Sequence, residues 1–137
     1  MKLKLKRIEA PFVLELNNEN GSTVIIDANP SIGGKGLGFR PMELLAGSLA
    51  SCASIDVISI LKKQRIELAS YTIDIVAKRY EGVPSPFETI QLNFEFDNSV
   101  DLEKAKKAID LSLEKYCSVS ASLNNEISIT YSINTTK

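Results

Sequence analysis

Histidine and tryptophan are absent from this 137-residue sequence, and cysteine, methionine and proline are scarce, at two, two and five residues. Without histidine the chain cannot assemble a Ser-His-Asp or Cys-His catalytic group, nor the His-based sites common for zinc. Two cysteines cannot complete a four-thiolate centre, so an obligate metal would need carboxylates or ligands from a second chain. Charge of either sign is also lacking in excess: 16 Lys and Arg stand against 17 Asp and Glu, for a net charge of −1. With no basic surplus to displace counterions from phosphates, a protein held on nucleic acid by bulk charge is excluded. Internal repeats, low-complexity tracts and linkers are missing as well.

What is present is an ordinary globular balance, 44% hydrophobic and 24% charged, which fits a single domain over residues 1–137. The segment Met1–Arg7 alternates lysine with leucine and holds no continuous apolar core, so it reads as a strand and not as a signal peptide. Cys52 and Cys117 then read as free thiols in a reducing cytoplasm.

Three strand-like runs come first, Lys2–Glu9, Pro11–Asn17 and Ser22–Ala28, and Asn17–Gly21 supplies the turn chemistry of a hairpin between the last two. A loop over Asn29–Gly38 carries Gly33, Gly34, Gly36 and Gly38. It lacks the Gly-Lys-Ser/Thr ending of a P-loop and the third glycine of a dinucleotide fingerprint, which favours a plain loop over a phosphate cradle.

Pro41–Arg65 predicts a long helix, with Pro41 suited to its first turn, Glu43 near its positive end and Lys62, Lys63 and Arg65 at its negative end. Between Leu44 and Leu61 the only charge is Asp56, and apolar residues surround the whole helix. A helix apolar on every side is enclosed on every side. Asp56, Gly47 and four serines argue against membrane insertion. A chain of this size covers one or two faces with its own sheet, and Ala46, Gly47, Ala50, Ser51, Ala53 and Ser54 would admit another backbone closely. The economical arrangement is a homodimer with two such helices packed together inside two sheets.

Ser70–Tyr80 and Pro86–Asp97 alternate as strands, the second setting Phe87, Thr89, Gln91, Asn93 and Glu95 opposite Ile90, Leu92, Phe94 and Phe96. Asp101–Tyr116 has helical spacing, Ser118–Leu123 adds a turn, and Glu126–Ile133 closes as a strand. The fold class is α+β, in the order β-β-β-α-β-β-α-β, with a buried central helix on antiparallel sheets.

The run Arg40-Pro41-Met42-Glu43-Leu44-Leu45-Ala46-Gly47-Ser48-Leu49-Ala50-Ser51-Cys52 resembles the helix motif of the OsmC/Ohr family, the osmotically induced protein C and organic hydroperoxide resistance proteins. Tyr116-Cys117-Ser118-Val119-Ser120 is similar to that family's second cysteine segment, and Asp56-Val57 resembles its less characterised OsmC-like branch. The resemblance covers nearly the whole chain. It implies an intertwined homodimer with active sites near the subunit interface. It further implies that Cys52 attacks a peroxide, that Cys117 resolves the product as a disulfide, and that Glu43 helps hold the site. An external dithiol such as a lipoyl group would regenerate the thiols, with no resident cofactor or metal.

Three features bear on that chemistry. A peroxidatic cysteine must be a thiolate, which an apolar helix opposes and a nearby cation favours, and Leu14–Thr23 contains no arginine. Asp56 lies one helical turn beyond Cys52 on the same face. Glu43 precedes Cys52 by nine positions, about 13 Å along a regular helix and roughly on its opposite side, so a helix cap or an ion pair with Arg40 is an equal reading of it. Two functions therefore stand open: a thiol peroxidase acting on organic hydroperoxides, and a dimer whose interface cleft binds a small apolar or thiol ligand without turnover.

Overall fold

A computed structural model describes residues 1–136 of the chain, which divides into two compact units, one over Met1–Leu45 and one from Ala46 onward. Each is built around its own three-stranded sheet.

In the first unit, strands β1 (Leu3–Glu9), β2 (Val13–Asn18) and β3 (Thr23–Ile26) form an antiparallel meander in that order. The β2–β3 hairpin closes where the Asn18 side chain accepts the N–H groups of Asn20 and Ser22, with Gly21 at φ 83°. The glycine-rich loop then returns alongside β3. Phe39 donates to the Ile25 carbonyl and accepts from Asp27, both at 3.0 Å. Gly34 and Gly38 lie so close to the backbone of Ala28 and Ile25 that a Cβ would fall 1.8 and 2.4 Å from their carbonyl oxygens. These two glycines are needed for close approach of backbones.

A buried carboxylate organises this loop. Asp27 accepts the N–H of Ala28 at 2.7 Å, of Lys35 at 2.8 Å and of Leu37 at 3.2 Å. Burial acts to raise its pKa, but the backbone donors of Leu37, Lys35, Ala28 and Gly36 together outweigh burial and hold the carboxyl below its ordinary range. Loop amides that a phosphate would need are thus occupied by the protein's own anion.

The long helix α1 (Pro41–Lys63) begins at Arg40, whose backbone N–H donates to the Glu43 carboxylate at 2.9 Å, one half of a capping box. It ends where Arg65 takes a left-handed φ of 62° and Ile66 donates to the Leu61 carbonyl, with Arg65 donating to Lys62, which satisfies the last carbonyls. By length and composition α1 could cross a membrane. Ala46, Leu49, Ala50, Ala53, Val57 and Leu61 instead form a stripe at helical spacing that is buried in protein. Enclosure on every side, expected from the sequence, is met along this stripe alone. Ile55 and Ile58 remain 66% and 43% exposed, because one sheet covers one side of a helix.

The second unit continues with β4 (Tyr71–Arg79) antiparallel to β5 (Phe87–Phe96), then α2 (Leu102–Leu111), a single π-turn over Ser112–Tyr116, α3 (Ser118–Ser122) and β6 (Ser128–Thr135). The element order matches the sequence expectation, with the extra turn at Ser118. Asp101 caps α2 by accepting from Glu103 and Lys104. Ile90, Leu92, Phe94 and Phe96 of β5 are buried together with the α1 stripe and with Ala105, Ala108 and Ile109 of α2.

Two details correct the sequence reading. The sheets are not wholly antiparallel, since β6 pairs with β5 in parallel from Thr89↔Ser128 to Phe96↔Thr135. The helical crossover through α2 and α3 carries the chain back to the end at which β5 starts, as parallel pairing requires. Phe87 is buried and does not share the polar face of β5, because the register with β4 shifts between Lys78 and Arg79 and turns it inward.

Candidate functional site

The two cysteines are 65 positions apart in sequence and come together in the second unit. Cys52 projects from the middle of α1, half-buried, and Cys117 is buried at the N-cap of α3. Both are free thiols, and their side chains lie close enough for Cys52 to shift the titration of Cys117. The Cys117 sulfur also accepts the Ser120 N–H at 3.3 Å.

Burial first, and then the neighbouring Cys52 thiol, push the Cys117 thiol up from 9.0 to about 11, and the N–H groups of Ser120 and Val119 only partly offset the rise. Cys117 therefore holds its proton at neutral pH. That division suits a nucleophile at Cys52 and a protonated second thiol waiting beside it.

The local backbone explains the placing of Cys117. Its N–H donates to the Ser112 carbonyl at 2.7 Å, a five-residue step that closes the π-turn after α2. Such turns are rare and concentrate at functional sites. Ser112 is wholly buried, and its hydroxyl donates to the Asp56 carboxylate at 2.8 Å. Asp56, one turn beyond Cys52 on α1, is thereby tied to the segment that presents Cys117. The sequence reading missed Ser112. Its helical spacing ran on through Tyr116, and an isolated serine carries no mark of a π-turn.

Glu43 belongs to the first unit, and its carboxylate is held by Arg40. It accepts the Arg40 Nε and Nη2 at 2.9 and 2.7 Å besides the backbone N–H. The backbone bond, followed by the guanidinium, holds its carboxyl below the ordinary range. Glu43 also borders an open groove of about 550 Å³ lined by Thr23, Ile25, Leu37 and Phe39. Among the described residues no cluster of three or more Cys, Asp or Glu is gathered to hold a metal.

Paired thiols on a long helix and a following turn, in a chain with two three-stranded sheets, define a thiol protein of the OsmC type. The sequence model described as OsmC-like protein matches residues 34–132. Over 134 residues the chain is 34% identical to protein YhfA of Escherichia coli K12, covering 96% of each. The chain belongs to the OsmC-like protein family. A hypothetical protein of Aquifex aeolicus superposes with a TM-score of 0.80 at 28% identity, over 99% of this chain and 97% of that one. An organic hydroperoxide resistance protein OsmC of Legionella pneumophila superposes with a TM-score of 0.72 at 15% identity, over 98% and 97%, and shares the fold. The organic hydroperoxide resistance protein OhrB of Bacillus subtilis superposes with a TM-score of 0.68 at 17% identity, over 97% of this chain and 96% of that one, and likewise shares the fold.

Proposed function

We propose that this protein is a cysteine-based peroxidase that reduces organic hydroperoxides in a reducing cytoplasm. The observation that supports it most is the nearness of the Cys52 and Cys117 thiols, brought together from segments distant in sequence. In this reading the Cys52 thiolate attacks the distal oxygen of the hydroperoxide. The O–O bond breaks, the alkoxide leaves and takes up a proton as the alcohol, and Cys52 becomes a sulfenic acid. Cys117 then attacks the Cys52 sulfur, an S–S bond forms, and the sulfenic oxygen departs as water with the Cys117 proton. An external dithiol such as a lipoyl group reduces the disulfide by exchange. The working form is an intertwined homodimer, in which a second copy covers Ile55 and Ile58.

Reduced protein treated with an alkyl hydroperoxide should lose two hydrogens across the Cys52 and Cys117 peptides by mass spectrometry while the hydroperoxide is consumed. Cys52→Ser should abolish consumption, and Cys117→Ser should leave a trappable sulfenic acid. Absence of the disulfide, with Cys52→Ser indistinguishable from the parent, would overturn the reading.

A second reading rests on the groove bordered by Leu37 and Phe39, whose side chains stay 58% exposed. It makes the protein a binder of a small apolar or thiol ligand, with binding that survives Cys52→Ser in a thermal-shift titration.

A further inference from the structure

Asp56 is the one charge in the apolar span of α1, and a carboxylate beside a cysteine opposes thiolate formation. The peroxidase chemistry proposed above has no evident use for it. Its partner supplies one. Ser112 is fully buried, and all three of its polar groups are committed. Its N–H bonds to the carbonyls of Ala108 and Ile109 at the end of α2, its carbonyl receives the Cys117 N–H at 2.7 Å, and its hydroxyl donates to Asp56 at 2.8 Å. One residue thus joins the end of α2, the backbone of Cys117 and the face of α1 that carries Cys52.

We infer that Asp56 and Ser112 are positioning residues for the second thiol: the Asp56–Ser112 bond fixes the π-turn against α1 and so holds Cys117 at the distance and angle from which it meets Cys52. The connections form a closed circuit. Cys52 leads to Asp56 by one turn of helix, Asp56 to Ser112 by a hydroxyl bond, Ser112 to Cys117 by a backbone bond, and Cys117 back to Cys52 by the nearness of the two thiols. Opening the circuit at Asp56 removes the turn's side-chain bond to α1 and leaves its bonds to α2 and, through Ser120 and Leu113, to α3, so the cost falls on the approach of the two sulfurs more than on the fold. The inference rests on Cys52 and Cys117 forming a disulfide, not on peroxide being the oxidant.

The test is therefore a thiol–disulfide equilibrium of the full-length protein with reduced and oxidised glutathione, where two protein thiols become one disulfide as one oxidised glutathione becomes two reduced ones. Asp56→Ala and Ser112→Ala should lower the equilibrium constant for the intramolecular disulfide at least tenfold, about 30 mV in potential. Asp56→Asn and Ser112→Thr, which keep the acceptor and the hydroxyl, should stay within threefold of the parent. Where an alanine variant fails to fold, Asp56→Glu, which keeps the charge and displaces the acceptor, should show the same tenfold loss. An equilibrium constant unchanged in Asp56→Ala or Asp56→Glu, or one lowered equally by Asp56→Asn, overturns the positioning role. A tenfold loss in protein that consumes no hydroperoxide upholds that role and defeats the peroxidase reading. Mixed disulfides with glutathione as the sole product in the parent overturn the positioning role as well.

Discussion

The thiol of Cys117 lies beside the thiol of Cys52, and the Cys117 sulfur at the same time accepts the N–H of Ser120. A single buried atom is thus held from two sides, by a helix that precedes it in sequence and by a turn that follows. In the proposed peroxidase the two cysteines divide their roles, the buried Cys117 keeping its proton and the half-buried Cys52 reacting.

That separation has an alkaline consequence. Cys117 is raised from 9.0 to about 11, chiefly by burial, and Tyr131 from 10.0 to about 12, by burial and then by its bond to Asp110. A group whose folded pKa is raised contributes fully below its unfolded value, and the contribution is lost as pH climbs through the folded value. Stability should therefore be flat with respect to these two groups up to about pH 9 and fall from there toward pH 12. Urea midpoints measured across pH 7–11 check this. Alkylation of Cys117 should rise with a midpoint near 11 in the parent and at lower pH in Cys52→Ala, which removes the neighbouring thiol.

The α1 helix should respond unequally on its two sides. Leu49 is wholly buried, and Leu49→Ala should cost about 2–5 kcal/mol in denaturant unfolding. Ile55 is 66% exposed in the chain, so Ile55→Glu should leave the circular dichroism of the fold intact. In the proposed homodimer the same change places a charge in the interface, and sedimentation should move from dimer to monomer. A parent protein that sediments as a monomer at micromolar concentration would remove the dimer.

Glycines offer a third contrast. Gly38→Ala sets a methyl group 2.4 Å from the Ile25 carbonyl oxygen, a distance that only backbone movement relieves, so thermal unfolding should occur at clearly lower temperature. Gly47 sits within α1 with nothing within 4 Å of an added Cβ. Gly47→Ala should raise stability by about 0.5–1 kcal/mol through reduced backbone entropy in the unfolded chain. A loss at Gly47 instead would indicate that a second copy packs there.

Much of this fold was legible in the sequence, because period-two and helical spacing are local properties. β4, β5, α1 and α2 fall within a few residues of the segments read from their patterns. The two cysteine segments were legible as a family motif, although their approach to one another was not a matter of spacing. Three things were hidden for a common reason, that each depends on residues distant in sequence. The parallel pairing of β6 follows from a crossover, the inward turn of Phe87 from a register shift opposite Lys78, and the use of Asp56 from a serine 56 positions later. Asp27 was passed over because a single aspartate at a strand end gives no sign that it will be buried under loop amides. Glu43 admits two readings from sequence, site carboxylate or helix cap, and in the structure its carboxylate is bonded to Arg40.

Placing the two sulfurs on segments so far apart in sequence has a consequence for the newly made chain. Cys52 leaves the ribosome well before Cys117, and the seat of Cys117 needs α2, the π-turn and α3 to be complete. Under the proposed chemistry, a Cys52 oxidised during that interval would have no second thiol beside it, and further oxidant would carry it beyond sulfenic acid to forms that ordinary thiols do not restore. Vulnerability to oxidant would thereby be concentrated in nascent polypeptide, with the completed fold supplying the safeguard.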